Sequence, residues 1–99
     1  MAIPKTQPAD PFAALRAEID TVDAELVRLF AHRFNVVKTI GAEKAKRGMP
    51  VRVPERIQAV HDRIHKLAVE AGLPPEIAGR LWHAIIEEAC ALEEGNVEA

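Results

Sequence analysis

The sequence predicts an all-α fold of three helices, one long and N-terminal and two shorter, assembled as an intertwined homodimer. Three observations predict it. Apolar residues recur by threes and fours along most of the chain, Pro and Gly interrupt the pattern at residues 48–54 and 72–75, and the first periodic stretch is too long for a domain of this size. The 99 residues are enough for one domain and too few for two.

The first helix is opened by Asp10-Pro11, because Asp can accept from free amides at a helix start and Pro tolerates the first helical position. Leu15, Ile19, Val22, Leu26, Leu29, Val36 and Ile40 then form its stripe, up to the stop signal at Gly48. Pro50 and Pro54 confine the next segment to a short extended connection, and Pro54 suits the first turn of a second helix carrying Ile57, Val60, Ile64, Leu67 and Ala71. Gly72 ends it. Pro74-Pro75 opens the third helix, with Ile77, Leu81, Ile85, Ala89 and Leu92 on one face. The domain organisation that follows is a disordered tail over 1–10, a helical domain over 11–94 and a frayed tail over 95–99.

Length bears on assembly. A first helix of about 36 residues is roughly 54 Å long at about 1.5 Å per residue, whereas a compact chain of about 100 residues has a radius of gyration of about 13 Å. Two shorter helices cannot cover its stripe, and a second copy of the chain is the simplest cover. The alternative is a break near Gly41, which would allow a monomeric bundle.

Composition narrows the function. With 13 Lys plus Arg against 15 Asp plus Glu, the net charge of -2 gives no field to attract nucleic acid. No apolar run approaches the roughly 18 residues of a membrane span, and the opening MAIPKTQPAD lacks the apolar middle of a secretory signal, so a cytoplasmic location is expected. Cys90, alone, reads as a small core residue. His61 and His65 have helical metal-pair spacing, but no Glu follows His61 and two ligands leave most of a zinc shell unfilled, so no metal is expected. No Gly-rich phosphate loop or nucleophile elbow is present, which leaves covalent catalysis without an actor.

The candidate chemistry lies where charge enters the apolar register. Continuing the long stripe, Leu29 leads to Arg33, Val37, Ile40 and Lys44, so two cations face inward and each must meet a counter-charge from protein, water or ligand. The structural alternatives are a core carboxylate for Arg33 and snorkelling at a fraying end for Lys44. Arg56 sits in the first turn of the second helix, where the dipole favours anions, and reads either as a ligand group or as a solvated surface residue. On the third helix Trp82, Ile86, Ala89 and Glu93 form a second face, so a carboxyl group either joins the end of an apolar stripe or lies on a frayed terminus.

The stretches "LRAEIDTVDAELVRLFAHRFNVVKTIGAEKAK", "PVRVPERI" and "LWHAIIEEACALEE" resemble the all-helical chorismate mutases, over roughly residues 12 to 94. The resemblance implies an intertwined dimer that binds a small dicarboxylate and uses no cofactor. Arg16 would reach into the partner's site, while Arg33, Lys44 and Arg56 would line their own chain's site. The implied reaction converts chorismate to prephenate by a pericyclic rearrangement, which needs positioning and electrostatics but no acid, base or nucleophile. Arg forks suit the two carboxylates, and Lys44 suits the charge building on the ether oxygen. Four residues depart from the usual pattern. Ile57 stands where many members grip the ring hydroxyl with Glu, Val53 stands at a preceding acidic position, Ala89 replaces a hydroxylated residue, and Glu93 replaces a Gln near the ether oxygen. As a neutral acid Glu93 would donate a hydrogen bond there; ionised, it would repel the substrate. The stretch "VPERI" is also similar to the related isochorismate pyruvate-lyases, and a 4-amino-4-deoxychorismate mutase or a non-catalytic helical dimer are the further alternatives.

Overall fold

The computed structural model describes residues 10–95. Most of the expected tails, residues 1–9 and 96–99, lies outside the described residues. Within them are three helices and no strand: α1 (Ala13–Arg47), α2 (Pro54–Ala71) and α3 (Pro75–Glu93).

The predicted helix boundaries hold to within two residues. Asp10 does cap the start of α1: its Oδ1 accepts from the Phe12 N–H at 2.9 Å, and its Oδ2 lies 3.0 Å from Arg16 Nε. At the other end Gly48 takes φ 66°, and the Met49 N–H turns back to the Lys44 carbonyl at 2.9 Å. Only Gly adopts that conformation without strain. Pro54 occupies the first turn of α2 after an extended Val53, whose carbonyl accepts from the N–H groups of both Arg56 and Ile57 at 3.0 Å. Gly72 closes α2 in the same left-handed conformation. The break considered at Gly41 is absent, and α1 runs through it as 35 continuous residues.

The chain divides into two compact units, one running to Arg33 and the other from Phe34. In the first, the stripe residues Leu15, Ile19, Val22, Leu26 and Leu29 are all exposed. In the second, the buried hydrophobic residues are Val37, Ile64, Ala68, Ala78, Ile85, Ile86, Ala89 and Cys90, while Val36 and Ile40 remain exposed. Ile64, Ala68 and Ala78 pack together, with Val60 and Trp82 against them.

This packing corrects the reading of α3. Ile77 and Leu81 are exposed, and the buried line runs through Ala78, Ile85, Ile86, Ala89 and Cys90. Ala78, only 1% exposed, is small enough to let α2 approach closely, while its neighbours Ile77 and Leu81 remain exposed. Trp82, expected to surround Glu93, packs instead on the Ile64 cluster.

Gly41 fixes the approach of α1 and α3 within the second unit. It is buried, and a Cβ placed there would lie 3.0 Å from Glu93 Cα and 3.1 Å from its Cγ. The neighbour it would strike is backbone, which cannot swing aside. Gly41→Val is therefore expected to lower stability by about 1–3 kcal/mol, the usual range for overpacking, as read from urea denaturation.

Candidate active site

Lys44 stands in the last turn of α1, which ends at the Gly48 turn. The chain then returns through Pro50, and the Val51 carbonyl accepts from Lys44 Nζ at 2.6 Å. Because Gly41 admits the end of α3, Glu93 reaches the same ammonium, with Oε1 2.8 Å from Nζ. The two side chains are 17% and 10% exposed, so this pair is shielded from solvent and screened less than a surface pair. Its contact is ionic in character, since Glu93 Oε1 accepts no aligned hydrogen bond. Lys44 thus meets a core carboxylate where snorkelling was the alternative, and Glu93 is seated against α1 where fraying was the alternative.

The other expected residues occupy distinct settings. Val53 and Ile57 are half-buried and Arg56 is exposed, all at the start of α2 just after the segment that holds Lys44. Ala89 is buried one turn before Glu93. Arg16 and Arg33 belong to the unit that ends at Arg33. There Arg16 is exposed, paired with Asp10 and 5.7 Å from the Phe12 ring centroid, and Arg33 is half-buried. The structure therefore brings Lys44 and Glu93 together directly, with Val51 as a third participant that the sequence did not reveal.

A second ion pair flanks this site. Arg52 grips Glu87 of α3 through two bonds, Nη2 to Oε1 at 2.7 Å and Nη1 to Oε2 at 3.1 Å. The Arg52 hydrogen bonds hold the Glu87 carboxyl below its usual range and push the Arg52 guanidinium up. Both side chains are nearly half exposed. No local sequence signal joins two residues 35 apart. Burial pushes the Cys90 thiol up, which keeps it a protonated core group and not a nucleophile. Among the described residues no group of His, Cys, Asp and Glu could hold a metal, and no helix is long and apolar enough to cross a membrane.

The described residues are thus all-helical and shield one lysine between a backbone carbonyl and a carboxylate. Comparison with known proteins goes further: residues 15–94 match the family Chorismate mutase type II, and the chain belongs to that family. It is 36% identical over 96 residues to the 4-amino-4-deoxychorismate mutase of Streptomyces pristinaespiralis, covering 94% of this chain and 74% of the relative. It is 30% identical over 89 residues to the chorismate mutase of Methanocaldococcus jannaschii, covering 90% of each. A third relative, the bifunctional chorismate mutase/prephenate dehydratase of Aquifex aeolicus, is 35% identical over 83 residues, which make up 81% of this chain and 23% of that one.

Proposed function

We propose that this chain is a chorismate mutase that converts chorismate to prephenate without a cofactor, in a site built on Lys44 and Glu93. The observation that carries the reading is the shielded Lys44 ammonium, held by the Val51 carbonyl and the Glu93 carboxylate. In the rearrangement an ether C–O bond breaks as a C–C bond forms, and negative charge builds on the oxygen. A fixed ammonium stabilises that charge most in the transition state. The bound ether oxygen would take a place beside Lys44 that Glu93 now shares. Arg33 and Arg56, with Arg16 from a second chain, would hold the two carboxylates. A cytoplasmic location accompanies this reading.

A second reading, a mutase acting on 4-amino-4-deoxychorismate, is favoured by the resemblance to the Streptomyces pristinaespiralis relative and by Ile57 and Val53. These side chains offer no carboxylate to a ring hydroxyl. Product analysis after separate incubation with chorismate, 4-amino-4-deoxychorismate and isochorismate decides among them. Prephenate from the first supports the mutase, and rearrangement of the second alone transfers the assignment to the amino substrate. Salicylate with pyruvate from the third points to a lyase, while turnover of none leaves a binding module.

The working form in this proposal is a homodimer. Support comes from seven exposed apolar residues at helical spacing on α1, from Leu15 to Ile40. Arg16 also lies far from Lys44 in sequence and is held by an exposed pair with Asp10 and by the Phe12 ring, contacts that are easily given up. Mixing Arg16→Ala chains with Arg33→Ala chains is expected to restore roughly a quarter of wild-type turnover, since half of randomly exchanged dimers would be mixed and each would hold one intact site. Absence of recovery after verified exchange would count against a site shared between protomers.

A further inference from the structure

We propose that the Arg52–Glu87 pair is a latch that fixes the position of the Lys44 ammonium through the Val51 carbonyl, making Arg52 and Glu87 positioning residues for the reaction. The inference rests on the assignment of Lys44 above.

A lysine side chain is a point charge on a flexible stem and needs outside groups to hold it still. Lys44 has two, Glu93 and the Val51 carbonyl. Glu93 is the one with which a substrate oxygen would compete, leaving the carbonyl as the lasting anchor. That carbonyl belongs to the non-helical segment between α1 and α2. The near end of the segment is tied by the Met49 N–H to the Lys44 carbonyl, and its far end by the Val53 carbonyl to the first turn of α2. Arg52, the residue directly after Val51, ties its middle to α3. A bidentate Arg–carboxylate contact fixes the plane as well as the distance of its partners. The peptide that joins Val51 to Arg52, at the root of that side chain, carries the oxygen that holds Nζ.

The placement on α3 suits the purpose. Glu87, Cys90 and Glu94 follow at steps of three and four and form one row of the helix, and Arg52 feels the charge of Glu94 in addition to its bonds to Glu87. Glu93 projects from the adjoining row. The segment therefore spans from the row that grips Arg52 to the residue that shares Lys44. An ion pair this exposed contributes little to stability. Small shifts matter far more to catalysis, where a displacement of about 1 Å can cost on the order of 100-fold.

The test combines kinetics with a direct view of the lysine. Arg52→Ala and Glu87→Ala are each expected to lower kcat about fivefold with KM within about twofold, as loss of a contact made chiefly in the transition state requires. The double variant should fall no further, and the exchange Arg52→Glu with Glu87→Arg should regain most of the loss. Added to Lys44→Ala, the Arg52→Ala change should have no effect. In protein carrying isotope-labelled lysine, the Lys44 ε-methylene resonance, assigned by its disappearance in Lys44→Ala, should show a lower order parameter in Arg52→Ala while helicity stays unchanged. An unchanged order parameter overturns the latch whatever the activity, and so does a further fivefold loss in the Lys44→Ala background. A lowered order parameter with Lys44→Ala fully active would instead keep the latch and remove Lys44 from the chemistry.

Discussion

Lys44→Ala is expected to lower kcat about 100- to 1,000-fold and to change KM by no more than about threefold, in the range seen when one preorganised donor is taken from a developing negative charge. The reason is where the ammonium is held. Nζ is fixed by the Val51 carbonyl at 2.6 Å and its side chain is only 17% exposed, so water cannot readily replace it when it is removed. An ether oxygen carries little charge in the bound ground state and much more as the C–O bond opens. The lost interaction therefore appears in kcat and not in binding. Lys44→Arg should recover little, because a planar fork cannot occupy the place of a compact ammonium. Steady-state kinetics over a range of chorismate concentrations separates the two constants, and a rise in KM alone would make Lys44 a ground-state anchor.

The second large effect belongs to Glu93. With Oε1 2.8 Å from Nζ, the ionised carboxylate occupies the region where a substrate oxygen must approach the ammonium. Two unit charges about 4 Å apart interact by about 4 kcal/mol at an effective dielectric constant of about 20. Even a fraction of that repulsion is enough for a tenfold effect. Glu93→Gln keeps the shape of the side chain, removes its charge and supplies an amide donor, and is expected to raise kcat/KM for chorismate by on the order of 10-fold, or about 1.4 kcal/mol. Steady-state kinetics of both proteins checks this, and an unchanged or lower kcat/KM in Glu93→Gln would place Glu93 outside the reach of the substrate.

How much of this was legible in the sequence depended on whether the signal was local. Pro54, Pro75, Gly48 and Gly72 marked the helix ends correctly because they act through their own backbone conformation. The inward register of Lys44 and Glu93 was legible for a similar reason, since helical spacing alone puts each at the end of an apolar stripe. What failed depended on a partner element. Ala78 was passed over because the value of a small residue lies in how near α2 can come, and Gly41 read as a possible break because nothing local announces that Glu93 packs against it. Val51 was invisible as an anchor because it contributes a backbone oxygen. The grip of Arg52 on Glu87 depends on the connection between α1 and α2 lying against α3, which no spacing encodes.

Cys90 gives the protein an internal gauge of its own breathing. It is the sole cysteine of the chain, 5% exposed, and burial keeps its thiol protonated. A disulfide reagent attacks the accessible thiolate, so labelling must wait for α3 to lift from its neighbours. When reclosing outpaces the chemistry, the labelling rate is the intrinsic thiol rate multiplied by the open fraction, and its logarithm reports the free energy of that opening. Anything that binds the closed form slows the reaction by mass action. A chromogenic thiol assay can thus measure occupancy of the site for compounds that are never turned over, with no label added and no residue changed.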